Sequence, residues 1–190
     1  MKTDWISGEL IGLAENVKQL AVQADIIAKI ADICTQALKN GCKIMFCGNG
    51  GSAADSQHLA AEFVGRYKME RVALNSVALT VDTSILTAIG NDYGYDDVFR
   101  RQVEGLGKSG DVLIGLSTSG NSGNVLKAFE QAASMGITTV AFTGGGGGRM
   151  KDVADVCLAV PATVTNHIQE LHITSGHLIC ELVEKQMFES

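Results

Sequence analysis

From residue 43 onward the chain alternates short apolar runs with segments of helical periodicity, and this alternation restricts its fold more than any other feature. The runs are Lys43–Cys47, Ser76–Thr80, Val112–Leu116, Thr138–Phe142 and Val156–Val160. Each is too short for a good helix, and Gly, Ser, Thr or Asp follows most of them. Helical periodicity returns around 53–65, 83–90, 96–106, 123–135 and, more weakly, 149–154, and a last amphipathic helix is predicted over 166–188, after Pro161. Strands separated by helices form a parallel sheet, because parallel neighbours need a crossover. The expected fold is a three-layer α/β/α sandwich with a five-stranded parallel sheet. Ahead of it, residues 4–40 read as a helical pair. Leu10, Leu13, Ala14, Val17, Leu20 and Ala21 recur at helical spacing, as do Ile27, Ile30, Cys34, Ala37 and Leu38, and Gly41 supplies a stop. No linker interrupts the pattern, so residues 1–190 read as one domain.

Composition narrows the function. Of 190 residues, 46% are hydrophobic and 19% charged, where an average soluble domain carries about 25% charge. Apolar surface with few charges to cover it predicts an oligomer. Fifteen Lys and Arg against 21 Asp and Glu give a net charge of −6, which argues against binding nucleic acid through its phosphates. No stretch approaches the roughly 20 apolar residues of a membrane span, and the N-terminus lacks the apolar core of a secretory signal. The five Cys (34, 42, 47, 157 and 180) include no CxxC pair. They read as small buried hydrophobes of a reducing cytoplasm, not as a disulfide or zinc framework.

In such sheets ligands bind beyond the carboxyl ends of the strands. Gly48-Asn49-Gly50-Gly51-Ser52-Ala53 follows the first strand. Its glycines let the backbone approach a ligand, and Ser52 can cap the next helix. Gly48, Gly50 and Ala53 formally fit a dinucleotide fingerprint, but the matching acid, Asp82, lies well beyond the usual spacing of about 20 residues. No nucleotide cofactor is therefore expected. Ser117-Thr118-Ser119-Gly120-Asn121-Ser122 follows the third strand and opens a helix. Hydroxyls and free N–H groups converging at a positive helix end suit a phosphate monoester; the plainer reading is a hydroxyl-rich cap.

His58 and Glu62 stand one helical turn apart on one face. Such a pair can bind a divalent metal, the carboxylate can act as a base, or both can be a solvated polar pair. On the last helix Gln169, His172 and His177 are candidates, with Gln169 and His177 roughly on one side. Asn91-Asp92 follows a short helix, where it can reach sugar hydroxyls or form a turn. The tract Gly144–Gly148 reads as a mobile loop, or else as a lid.

Ser117–Ser122 resembles the phosphosugar-binding signature of the sugar isomerase (SIS) fold. Taken with Cys47–Ser52, the His58–Glu62–Gly65-Arg66-Tyr67 series, Gly90-Asn91-Asp92 and Ile168-Gln169-Glu170 with His177, nearly the whole chain resembles the bacterial phosphoheptose isomerases. The serine loop alone identifies only the fold; Glu62 together with His177 points to the isomerases.

The resemblance implies a cytoplasmic homotetramer with active sites between subunits, the helices of residues 1–41 contributing to the contacts. It implies an aldose–ketose isomerase acting on sedoheptulose 7-phosphate, with Glu62 as base and His177 as acid. Ser117, Thr118, Ser119 and Ser122 would hold the phosphate, and Asn49, Gly50, Gly51, Asn91 and Asp92 would meet the sugar, with Glu62 and Gln169 also facing it. In some relatives zinc is bound by the residues matching His58, Glu62, Gln169 and His177. The chain departs from these relatives at His167, often Arg, and at Val72-Ala73, where Pro is usual. The rival from another class is a non-catalytic SIS protein that binds the bacterial replication initiator; such relatives lack the Glu and His pair. A sugar-phosphate-sensing regulatory domain is a third reading, but no segment is left over to form a DNA-binding domain.

Overall fold

Burial on both faces is what turns the five apolar runs into strands. The computed structural model describes residues 2–189. It places β1 at Ile44–Gly48, β2 at Ser76–Ala78, β3 at Val112–Ser117, β4 at Thr138–Thr143 and β5 at Val156–Ala159. Every residue of β1 and β3 is buried, as expected of parallel strands covered by helices on both sides. Alternate residues serve two cores. Ile44, Phe46, Ile114, Val140 and Phe142 face one layer, while Met45, Cys47, Leu113 and Ala141 face the other. All strand pairings are parallel.

The helices are α1 (Lys2–Leu20), α2 (Ala24–Lys39), α3 (Gly51–Val64), α4 (Thr83–Asp92), α5 (Arg100–Leu106), α6 (Gly123–Ser134), α7 (Met150–Val153) and α8 (Thr165–Phe188). A 3-10 turn over Ala21–Gln23 joins α1 to α2, and Gly41, at φ 71°, ends the pair as expected. α2, α3 and α8 cover the first core. α1 does little of this: Leu10 and Val17 of its apolar stripe stay exposed, as do Trp5, Ile6 and Ile11, and Leu20 is its buried residue.

Strand order β2-β1-β3-β4-β5 puts the reversal of winding between β1 and β3. The loops leaving those strands therefore flank the crevice where such sheets take ligands. A second packing detail serves the site. α8 lies against α3, and a Cβ on Gly176 would overlap the Leu59 side chain. Glycine there lets the two helices approach beside His58 and His177.

The cysteines behave as small hydrophobes. All five are free, and Cys34, Cys42, Cys47 and Cys180 are buried. Burial pushes the Cys34 and Cys47 thiols up to about 12. Among the described residues, no helix is long and apolar enough to cross a membrane.

Candidate active site

α3 and α8 run side by side in the same direction, and their contacts bring distant residues together. Near the start of α3, a Cβ on Gly51 would overlap the Gln169 amide, so Gln169 lies on the β1 loop. About two turns on, His58 Nε2 meets His177 Nε2 at 2.8 Å across 119 residues of sequence. His58 Nε2 also lies 3.3 Å from Glu62 Oε1. The donor atoms of His58, Glu62 and His177 all fall within 4.8 Å of one another.

Their surroundings set the electrostatics. Burial and the neighbouring His58 push the His177 pKa down, and Glu62 opposes them. The Tyr67 ring stacks on the His177 imidazole, with centroids 5.5 Å apart and planes at 24°. Asp55 stands one turn ahead of His58. Burial pushes its carboxyl up to about 6, against the pull of His58, and its buried Oδ2 has no hydrogen-bond partner among the described residues. Two imidazoles and a carboxylate suit a divalent ion. Zinc–nitrogen bonds of about 2.0–2.1 Å put tetrahedral ligand atoms roughly 3.3 Å apart, close to the spacing seen. The donor set fits a metal.

The serine loop is built differently. Gly120, at φ 66°, folds it back so that the Gly120 N–H donates to the Ser117 carbonyl at 3.1 Å. Ser117 Oγ lies 2.8 Å from Ser122 Oγ and 3.5 Å from Ser119 Oγ. Ser122 occupies the N-cap position of α6, yet its side chain makes no capping hydrogen bond. The Ser117, Ser119 and Ser122 hydroxyls cluster, Ser119 Oγ also accepting from the Asn121 N–H at 3.1 Å, and Ser122 is not spent on capping the helix, so the plain capping reading fails for it. Such a cluster at a positive helix end is suited to an oxyanion.

The Gly144–Gly148 tract and the residues that follow it lie against the serine loop. Gly144 N donates to the Thr118 carbonyl at 3.1 Å, Arg149 N to Asn121 Oδ1 at 3.0 Å, and Met150 N to the Gly120 carbonyl at 2.9 Å. A Cβ on Gly120 would overlap the Gly147 carbonyl, and one on Gly148 the Ser119 carbonyl. The tract lies against the backbone of the serine loop, and side chains there would push the two apart.

Asn49 links the loops across the crevice. Its amide and that of buried Asn124 exchange two hydrogen bonds of 2.9 Å, and Tyr95 Oη donates to Asn49 Oδ1 at 3.3 Å. Asn124 and Tyr95 carry no motif, so nothing local marked them. Gly50, at φ 56°, not Ser52, holds the N-cap position of α3. Ser52 is buried inside the first turn, where its carbonyl accepts from Ser56 Oγ at 2.8 Å. Asp82 is spent as the N-cap of α4, accepting from the Ile85 N–H. Asn91 and Asp92 end α4 instead of following it, bond to each other at 2.8 Å and remain exposed. Among the described residues, their side-chain hydrogen bond is to each other and not to the His58–Glu62–His177 cluster. His172 is fully buried against Phe142 and faces the core instead.

Comparison with known proteins places the chain among known families. Residues 12–144 match the SIS domain family. The chain is 62% identical over 186 residues to the phosphoheptose isomerase of Akkermansia muciniphila, spanning 98% of each. It is 51% identical over 189 residues to that of a Roseiflexus species, covering 98% of this chain and 95% of that protein. The phosphoheptose isomerase structure from Neisseria gonorrhoeae superposes with a TM-score of 0.93 at 41% identity, covering 97% of this chain and all of that one. The one from Francisella tularensis gives 0.94 at 33% identity, covering 97% and 99%.

Proposed function

The chain belongs to the SIS-domain family and, within it, to the phosphoheptose isomerases, and from that premise we propose that it converts sedoheptulose 7-phosphate to D-glycero-D-manno-heptose 7-phosphate. It is an aldose–ketose isomerase. The product would be the first step toward nucleotide-activated heptose for lipopolysaccharide core or other surface glycans.

The reaction moves a proton between C1 and C2 through an enediol. Glu62 takes the C1 proton of the open-chain ketose and returns it to C2. His177 opens the ring and handles the proton exchanged between the two oxygens. Ser117, Thr118, Ser119 and Ser122 hold the phosphate far from the reacting carbons, where its binding orients the substrate. Asn49, Gly50, Gly51, Asn91, Asp92 and Gln169 meet the sugar chain. His58, Glu62, Gln169 and His177 would hold a zinc ion, which when bound polarises the carbonyl.

One observation carries this reading: His58 and Glu62 of α3 meet His177 of α8 within 4.8 Å. The initiator-binding alternative is not favoured, because its defining loss of the Glu and His pair is absent here. We also propose one SIS domain over residues 1–190 that forms a cytoplasmic homotetramer with active sites at subunit interfaces. The exposed apolar stripe of α1 and the groove lined by Val17, Leu20, Ile27, Leu178 and Leu182 support this assembly.

Incubating the purified protein with sedoheptulose 7-phosphate, with and without a chelator, and following aldose formation is the direct test. Glu62→Gln and His177→Gln are each expected to lower kcat at least about 100-fold while leaving the circular dichroism spectrum unchanged. Turnover near the wild-type rate in either variant would remove that residue from the chemistry.

A further inference from the structure

Behind the carboxylate on α3 and the imidazole on α8 lies a buried ion pair. The Arg71 and Glu184 side chains are each 2% exposed, with Nε and Oε1 2.9 Å apart. The same Glu184 carboxylate accepts the backbone N–H groups of Tyr67 and Lys68 at 2.8 Å and of Met69 at 3.1 Å. The guanidinium in turn donates to the carbonyls of Glu62 at 2.7 Å, Phe63 at 2.8 Å, Val72 at 3.0 Å and Gly65 at 3.2 Å. Arg71 thus closes the last turn of α3, where unpaired carbonyls and the negative helix end call for a cation. The first carbonyl it takes belongs to Glu62 itself.

The pair reaches His177 by two routes. Glu184 follows His177 by seven residues on α8, two turns later and within about 20° of the same face. Tyr67, whose N–H is bound to Glu184, lays its ring along the His177 imidazole. An isolated buried ion pair contributes little net stability. A planar fork bonded to several acceptors does fix direction, which a lysine's point charge cannot do.

We propose that Arg71 and Glu184 are positioning residues of the isomerisation, holding the Glu62 carboxylate and the His177 imidazole at one separation, with Tyr67 as the stop that orients His177. This rests on the reading of Glu62 and His177 as base and acid. A displacement of about 1 Å between such groups costs on the order of 100-fold in rate, whereas the phosphate end, held by the serine loop, is untouched.

Glu184→Gln keeps an acceptor oxygen in place and removes the charge. It is expected to lower kcat by about 30-fold or more, with KM for sedoheptulose 7-phosphate within about threefold. Arg71→Lys should lower kcat likewise, because it keeps charge without the fork. Tyr67→Leu leaves the buried pair alone and is expected to lose about tenfold in kcat at unchanged melting temperature, while Tyr67→Phe, which keeps the ring, stays near wild type. Zinc affinity, read by competition with a chromophoric chelator, should fall in parallel in Glu184→Gln. Where Glu184→Gln fails to fold, Tyr67→Leu decides. If Glu184→Gln and Tyr67→Leu keep wild-type kcat while Glu62→Gln is inactive, the positioning role is lost and the acid–base reading stands. A rate loss that only tracks the loss of folded protein, or that raises KM as much as it lowers kcat, refutes the positioning role as well. Full activity in Glu62→Gln sinks the acid–base reading instead.

Discussion

The serine loop and the His58–Glu62–His177 cluster obtain their shapes from different parts of the chain. Ser117 and Ser122 meet five residues apart around one left-handed glycine, and the neighbouring glycine tract supports the same backbone. The geometry is set by backbone conformation, so the hydroxyls stand ready before any ligand arrives. The cluster instead joins residues 119 apart, and its shape depends on how closely two helices pack and on the ion pair between them. A site half made of backbone is vulnerable to backbone changes. One made of packed helices is vulnerable to whatever shifts a helix.

The sharpest way to break this contrast is at Gly120. Alanine there must adopt φ near 66°, and its Cβ would overlap the Gly147 carbonyl. Strain and overpacking together are expected to cost about 3–5 kcal/mol. Thermal unfolding should show the loss, and sedoheptulose 7-phosphate should no longer raise the melting temperature of whatever remains folded. A Gly120→Ala protein that is still protected by the substrate would mean that the loop is not set by its backbone.

The same contrast explains what could be read from the sequence. The strands were legible to within one or two residues, because burial on both faces leaves a continuous apolar run that Gly or Ser ends. The serine loop was legible because its residues are contiguous, and His58 with Glu62 because a helix repeats every turn. Periodicity put Gln169 and His177 on one side of α8 but could not say which helix that side meets. It offered no reason to choose His177 over His172; the family resemblance supplied that choice. Arg71 and Glu184 look like ordinary solvated charges until the fold buries them, and Asn124 looks like any helix residue. The contact of Gly144–Gly148 with the serine loop was not legible, because a glycine run has no side-chain pattern and its packing lies in what it lets approach.

The long-range half can be loosened without touching it. α8 rests on the sheet where His172 packs on Phe142, ring centroids 5.7 Å apart. The His172 ring nitrogens make no well-formed hydrogen bond among the described residues, and the Thr143 backbone is the polar group that acts on the ring. Burial pushes the His172 pKa down to about 4, against a weaker opposing pull from the Thr143 backbone. The unfolded chain, with an ordinary imidazole near 6.5, binds the proton more readily. Stability from this residue is therefore complete above pH 6.5 and lost as pH falls toward 4. Between pH 7 and 5 the loss is expected to be about 2 kcal/mol. Urea unfolding at the two pH values should show it, and His172→Leu should lose that part of the pH dependence. If the variant and wild type weaken equally, His172 is not the group responsible.

Ser122→Ala gives the smallest effect and the finest test. Its hydroxyl caps no helix and, among the described residues, bonds only to Ser117. Removing it should leave unfolding free energy within about 0.5 kcal/mol of wild type. In the proposed function the same hydroxyl donates to a phosphate, and a hydrogen bond to a charged group is worth about 1.5–3 kcal/mol. The expected outcome is at least a tenfold fall in kcat/KM for the phosphorylated ketose, carried mainly by KM. Glu184→Gln is expected to act on kcat instead, so the two variants should separate on one plot of initial rate against substrate. Were both to alter the same parameter by the same factor, the site would not divide into a backbone half and a helix-packed half, and the contrast would fail.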